Sequence, residues 1–286
     1  MFLFLWLSCA PDVQIAKVFD PPYDTSDIVV DSGTEPASET GLDRIGISGY
    51  THLHLKQVAC PACVGEAQEI TITFSGEFHE PISDNHTEWL PVPGECTTNL
   101  IGSEPSTIPL DVGSSISIAA ANHNFNVPML SQGHYETTNI WESQLQRDTV
   151  YDVATDEGNY SFVSSHGFDY IEPWEMLWVD PSYAFDAVIS RSGTSFSWGP
   201  HSTNSTFMVL VAVYSHDGSQ LLGYAACAGD DSGNLTVPSQ YLQYPIGSLV
   251  AIHLSRHKIE LVETDINNSY IETHMEWEMI GTGHIE

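Results

Sequence analysis

The sequence predicts an all-β protein: antiparallel β-sandwich modules of immunoglobulin-like type, two of them, behind a disordered N-terminal tether. Three observations carry this. From Arg44 onwards, short segments rich in Val, Ile, Thr and aromatic residues alternate with clusters of Gly, Pro, Asn and Asp. No run of about a dozen residues has the ~3.6-residue apolar period of an amphipathic helix. Asp217-Gly218 stands between two strand-like segments, a strong hairpin signal.

Taken in order, residues 1–9 are MFLFLWLSC, an apolar run from Phe2 to Leu7 followed by Ser8 and Cys9. The run is far shorter than the ~20 residues of a membrane-crossing helix. It resembles the end of a secretory signal peptide, and Leu5-Trp6-Leu7-Ser8-Cys9 resembles a bacterial lipobox. That resemblance implies lipidation of Cys9, a membrane partner through the lipid anchor, and an extracytoplasmic location at the outer membrane or cell surface, to which Ala10 is suited. Residues 10–43 are dominated by Pro, Ser, Thr, Asp and Glu, too poor in apolar side chains to offset the entropy of ordering, and are expected to form an acidic linker.

Strand composition then appears at Ile47 to Val58, at Gln68 to Phe78 with Ile70, Ile72 and Phe74 on one face, and at Ser115 to Ala121. Trp174 to Val179 and Phe185 to Ile189 are denser in aromatic and aliphatic residues. The cluster RSGTSFSWGP, Arg191 to Pro200, suggests a boundary between a β-rich domain at 44–190 and a β-sandwich at 191–286, one elongated β domain being the alternative. In the second part, Phe207 to Tyr214 (FMVLVAVY) has the continuous apolar character of a strand buried on both faces. Leu221 to Cys227 returns after the Asp217-Gly218 turn. Val250, Ile252 and Leu254 share one face of Ser248 to Val262, as Ile271, Thr273, Met275, Trp277 and Met279 do in the last strand.

Phe196-Ser197-Trp198, FMVLVAVY, the Asp-Gly hairpin, Cys227 with its acidic Gly-rich turn and then LTVP together resemble extracytoplasmic lipoproteins of myxobacteria and related bacteria. In those proteins a lipobox and an acidic linker precede β-rich modules. The resemblance covers about the first 45 and last 95 residues. It implies location and architecture and supplies no catalytic residues.

Charge excludes one functional class. The chain holds 7 Lys and Arg against 38 Asp and Glu, a formal net charge of −31. Without a basic patch to displace counterions, nucleic acid is not a partner; an unidentified protein or glycan ligand is compatible.

Candidate chemistry is sparse. Cys60, Cys63, Cys96 and Cys227 are an even set after Cys9, and in an oxidising compartment they imply two disulfides with three possible connectivities. A Cys96–Cys227 bond would contribute on the order of 4 kcal/mol through loop closure. Cys60-Pro61-Ala62-Cys63 lacks the following helix of a thioredoxin-like centre, and Val64 stands where c-type haem attachment needs His. His52 and His54 share one strand face and could bind zinc or copper, with two thiolates completing a tetrahedral shell. Glu272, His274, Glu276 and Glu278 alternate along the last strand as a second divalent-cation candidate, although a solvated strand face explains the same pattern. The turn Asp230 to Asn234 offers oxygens to calcium but lacks an EF-hand's acidic series. No Gly-x-Ser-x-Gly, phosphate-binding or His-Glu-x-x-His motif occurs, so no catalytic residue is assigned and no cofactor is required. The leading expectation is a non-enzymatic, lipid-anchored envelope protein with a structural or binding role. The alternatives are an extracytoplasmic metal-handling protein and a secreted hydrolase with acidic catalysis.

Overall fold

The structure, a computed structural model, describes residues 44–58, 70–83, 86, 90–100, 107–120, 123–140, 145–146, 149–163, 187–199 and 205–286. Cys9, Cys60, Cys63, the linker and Trp174 to Val179 lie outside them. Among the described residues there is no α-helix. The strands are β1 (Ile47–Val58), β2 (Ile70–Ile82), β3 (Cys96–Thr97), β4 (Ser115–Ala120), β5 (His123–Ser131), β6 (His134–Ile140), β7 (Val150–Ala154) and β8 (Asn159–Val163). They continue with β9 (Ala187–Ile189), β10 (Gly193–Ser197), β11 (Thr206–Tyr214), β12 (Leu221–Asp230), β13 (Asn234–Pro238), β14 (Leu249–Thr264) and β15 (Ser269–Ile285).

Among the described residues, thirteen strands form one sheet in the order β3-β12-β11-β14-β15-β1-β2-β6-β5-β4-β7-β8, with β9 also on β15, while β10 and β13 make a separate ribbon. The all-β class expected from the sequence is therefore observed. The sheet is not wholly antiparallel, because β1 and β9 both run parallel to β15. Strands from either side of residues 191–200 share this one sheet and one continuous apolar core.

Local chemistry explains the central elements. In β11 every residue from Phe207 to Val213 is buried, as its unbroken apolar run demands. The β11–β12 connection turns at Asp217 and Gly218, where Gly218 adopts φ 72°, a left-handed conformation that costs glycine little. The β14–β15 hairpin turns through Asn267 and Asn268 at φ 47° and 51°, the residue type that best tolerates this region after glycine. At Gly283 an added Cβ would meet the Ala187 carbonyl oxygen at 2.1 Å, so the parallel β9–β15 contact depends on the missing side chain.

One face of the sheet supplies the main core, joining Leu53, Phe74, Ile118, Phe162, Val209, Leu254 and Trp277. Each such side chain, fully buried, stabilises the fold by roughly 1.5–3 kcal/mol. The opposite face carries a smaller cluster of Leu100, Met208, Leu210 and Ala226, with Leu90 and Tyr224 packed on it. Beside that cluster the same face turns polar.

Two covalent or ionic ties fix the edges. Cys96 and Cys227 are directly opposite in the β3–β12 pair and form a disulfide with Cα atoms 4.0 Å apart. Asp231 is buried and holds three partners: Arg256 Nε at 2.5 Å, the Trp198 indole N–H at 2.5 Å and the Ser205 hydroxyl at 2.9 Å. Its carboxylate is thus committed to the fold, which corrects the idea that the Asp230 to Asn234 turn offers it to calcium.

Candidate metal centre

Side chains alternate across a strand, so residues two apart share a face. Three adjacent strands each place polar residues in this way on one face. β14 presents His253, Ser255 and His257; β15 presents His274, Glu276 and Glu278; β1 presents Tyr50, His52 and His54. Register then brings them together: His52 is opposite His274 and His54 opposite Glu276 across β1–β15, while His257 is opposite Glu276 and Ser255 opposite Glu278 across β14–β15. The two separate candidates read from the sequence, the His52/His54 pair and the alternating residues of the last strand, are one cluster.

This face is not a solvated one. Glu272 and His274 are each 1% exposed and Glu276 8%, which overturns the exposed-strand explanation of their alternation. Both faces of β15 are buried at this level, since Met275 and Trp277 lie in the main core.

The carboxylates are held ionised and most of the imidazoles neutral. Burial alone would raise Glu276, but the facing His54, His257 and His52 outweigh it and pull its pKa down to about 2. Burial is likewise overcome at Glu278, where His253 and His54 hold the carboxyl well below its ordinary range. His52 and His274 are lowered, chiefly by burial, and burial lowers His257 to about 4. His54 goes the other way: burial disfavours its charge, yet Glu276 and Glu278 raise it. Neutral imidazoles beside ionised carboxylates form a donor set suited to first-row divalent metals.

Distances support the same chemistry. His52 Nε2 lies 3.0 Å from Glu276 Oε2, and His54 Nε2 lies 3.1 Å from Glu278 Oε2. Ligands about 2.0–2.1 Å from a tetrahedral ion are separated by roughly 3.3 Å, close to these spacings. Two triads have ligand atoms mutually within 4.8 Å: His52, His274 and Glu276, and His54, Glu276 and Glu278.

The histidines are also oriented from outside. Tyr50 Oη is 2.8 Å from His274 Nδ1, and Ser255 Oγ is 2.6 Å from His257 Nε2. With those outer nitrogens engaged, His274 Nε2 and His257 Nδ1 face each other at 2.9 Å. Partners on the far ring nitrogen are how proteins orient metal-binding histidines. Ser255 and His257 also have the spacing of a nucleophile and its base, but Ser255 is 1% exposed, and its hydroxyl acts as an anchor.

Glu272 stands apart. Its Oε2 accepts the His86 backbone N–H at 3.2 Å, and it belongs to neither triad. His86 stacks on Tyr50 and its Nε2 is 2.8 Å from that of His79, extending the histidine-rich face outward. Cys96 and Cys227 are bonded to each other and supply no thiolate, while Cys60 and Cys63, which follow His52 and His54 in the sequence, lie outside the described residues. His253 and His257 escaped the sequence reading, although HLSRH repeats the alternation of HLH and shows the same signal.

Comparison of the chain with known protein families and with curated proteins returned no match.

Proposed function

We propose that the protein is an extracytoplasmic metal-binding protein whose centre is the buried cluster of His52, His54, His257, His274, Glu276 and Glu278. The observation that carries this is the convergence of two His/Glu triads from β1 and β15 onto one largely buried face, with His257 of β14 beside them, the Glu276 carboxyl held low and the His52 and His274 imidazoles lowered. A first-row divalent ion such as zinc or copper suits imidazole and carboxylate donors better than calcium, which prefers oxygen ligands alone. The envelope placement and lipid anchor at Cys9 rest on MFLFLWLSC alone, and fit a role in holding metal outside the cytoplasm with no reaction of its own.

Calorimetric titration of chelator-stripped, full-length protein with zinc tests the proposal. Wild type binds stoichiometrically, and the H52A/H54A double variant, checked for folding by circular dichroism, loses that binding. A wild type that takes up no zinc, or a folded double variant that binds as well, overturns it.

A further inference from the structure

Building on the proposed metal-binding role, we infer that the centre holds two metal ions side by side, bridged by the Glu276 carboxylate.

The two triads are distinct groups that have only Glu276 in common. His52 with His274 makes one flank, and His54 with Glu278 the other. The flanks follow from strand geometry: residues two apart on a strand are separated by roughly 6.6 Å along it, so His52 and His54 sit one step apart on the same face. Their rings stack 5.4 Å apart and 8° from parallel, each directed at its own carboxylate. Ligands of a single ion with ~2.0–2.1 Å bonds lie at most about 4.2 Å apart, and the ligand atoms of the two flanks fall into two such groups rather than one.

Glu276 is the residue placed to serve both. It is opposite His54 in the β1 register and opposite His257 in the β14 register, and its Oε2 is 3.0 Å from His52 Nε2. A carboxylate has two oxygens, and paired metal sites typically hold their ions about 3.5–4 Å apart, a span that one bridging carboxylate reaches. Beyond the first flank, His257 Nδ1 lies 2.9 Å from His274 Nε2. Beyond the second, His253 Nδ1 lies 2.5 Å from Glu278 Oε1. Each flank therefore has a further imidazole in reach, and the net charge of −31 favours accumulation of cations.

Cobalt(II) titration of stripped full-length protein, followed by visible absorption and by metal content after desalting, tests this. Two equivalents per wild-type chain are expected, with one retained by H274A, one by H54A, and no second equivalent in E276Q. One equivalent in wild type, abolished by either histidine variant, overturns the bridged pair while leaving a single-ion centre standing. No bound cobalt overturns the pair and the metal-binding proposal together. The wild-type stoichiometry decides the matter even if a variant fails to fold.

Discussion

His52 and His274 face each other across the parallel β1–β15 pair with their rings stacked, centroids 4.4 Å apart and planes 3° from parallel. Two imidazoles in this arrangement cannot both carry charge cheaply. Burial and mutual repulsion with its neighbouring histidines hold His274 well below its ordinary value, and His52 is lowered chiefly by burial. The contact joins the first described strand to the last, so the geometry of the centre and the topology of the sheet depend on each other.

Acid should destabilise the metal-free protein well before ordinary carboxylates titrate. His86 and His257 are lowered by burial to about 4, and His52, His79 and His274 are lowered as well. Between these values and the unfolded value near 6.5 the unfolded chain binds more protons, so their stability is full above about pH 6.5 and is lost as pH falls toward 4. His54, raised by Glu276 and Glu278, works in the opposite sense: its contribution is full below about 6.5 and disappears as pH rises through its folded value. Among the described histidines, five lowered against one raised give a urea midpoint lower at pH 5 than at pH 7.5. A midpoint that is flat or higher at pH 5 refutes this balance.

Removing one partner of the Asp231–Arg256 pair should be severe. Both side chains are almost fully buried, 1% and 4% exposed, and Asp231→Ala leaves the guanidinium uncompensated. A loss of about 3–5 kcal/mol is expected from equilibrium unfolding. A loss under about 1 kcal/mol would mean that the pair does not tie the β12–β13 turn to β14 and Trp198 as described.

The Cys96–Cys227 disulfide closes a sequence separation of 131 residues. Loop-closure entropy then assigns it about 4–5 kcal/mol. The C96A/C227A variant should show a corresponding fall in unfolding free energy, with near-native circular dichroism in the folded state. Unchanged stability would show that the unfolded chain is not constrained by the bond.

Tyr50→Phe probes the orientation of His274. The substitution keeps a ring to stack on His86 but removes the hydroxyl 2.8 Å from His274 Nδ1. Loss of such an outer partner typically weakens metal binding by about 10–100-fold. Zinc affinity should fall by that factor with little change in unfolding midpoint, and an unchanged affinity would remove Tyr50 from the account.

Much of the strand pattern was legible from local sequence. The bounds of β1 match the composition of Ile47 to Val58, and FMVLVAVY, its Asp-Gly turn and the returning strand form the expected hairpin. The strands β5 to β8 were less visible, because polar residues such as His123, Asn124 and Asn126 interrupt β5 and the apolar positions of β7 and β8 span only five residues each. Pairing was not legible at all: nothing in HLH announces that it lies parallel to THMEWE at the other end of the chain. That is why the alternation from Glu272 to Glu278 reads from the sequence as a solvated strand face. An alternating polar pattern fits water equally well as it fits a buried polar face with its own partners, and only the neighbouring strands decide which.

X-ray absorption at the zinc edge of loaded, full-length protein tests the metal centre most directly. The account predicts nitrogen and oxygen neighbours at about 2.0–2.1 Å with imidazole scattering and no sulfur shell. A sulfur shell near 2.3 Å would transfer the metal to cysteines, and an absence of bound zinc would leave the His/Glu cluster as a purely structural network; either result contradicts the central claim.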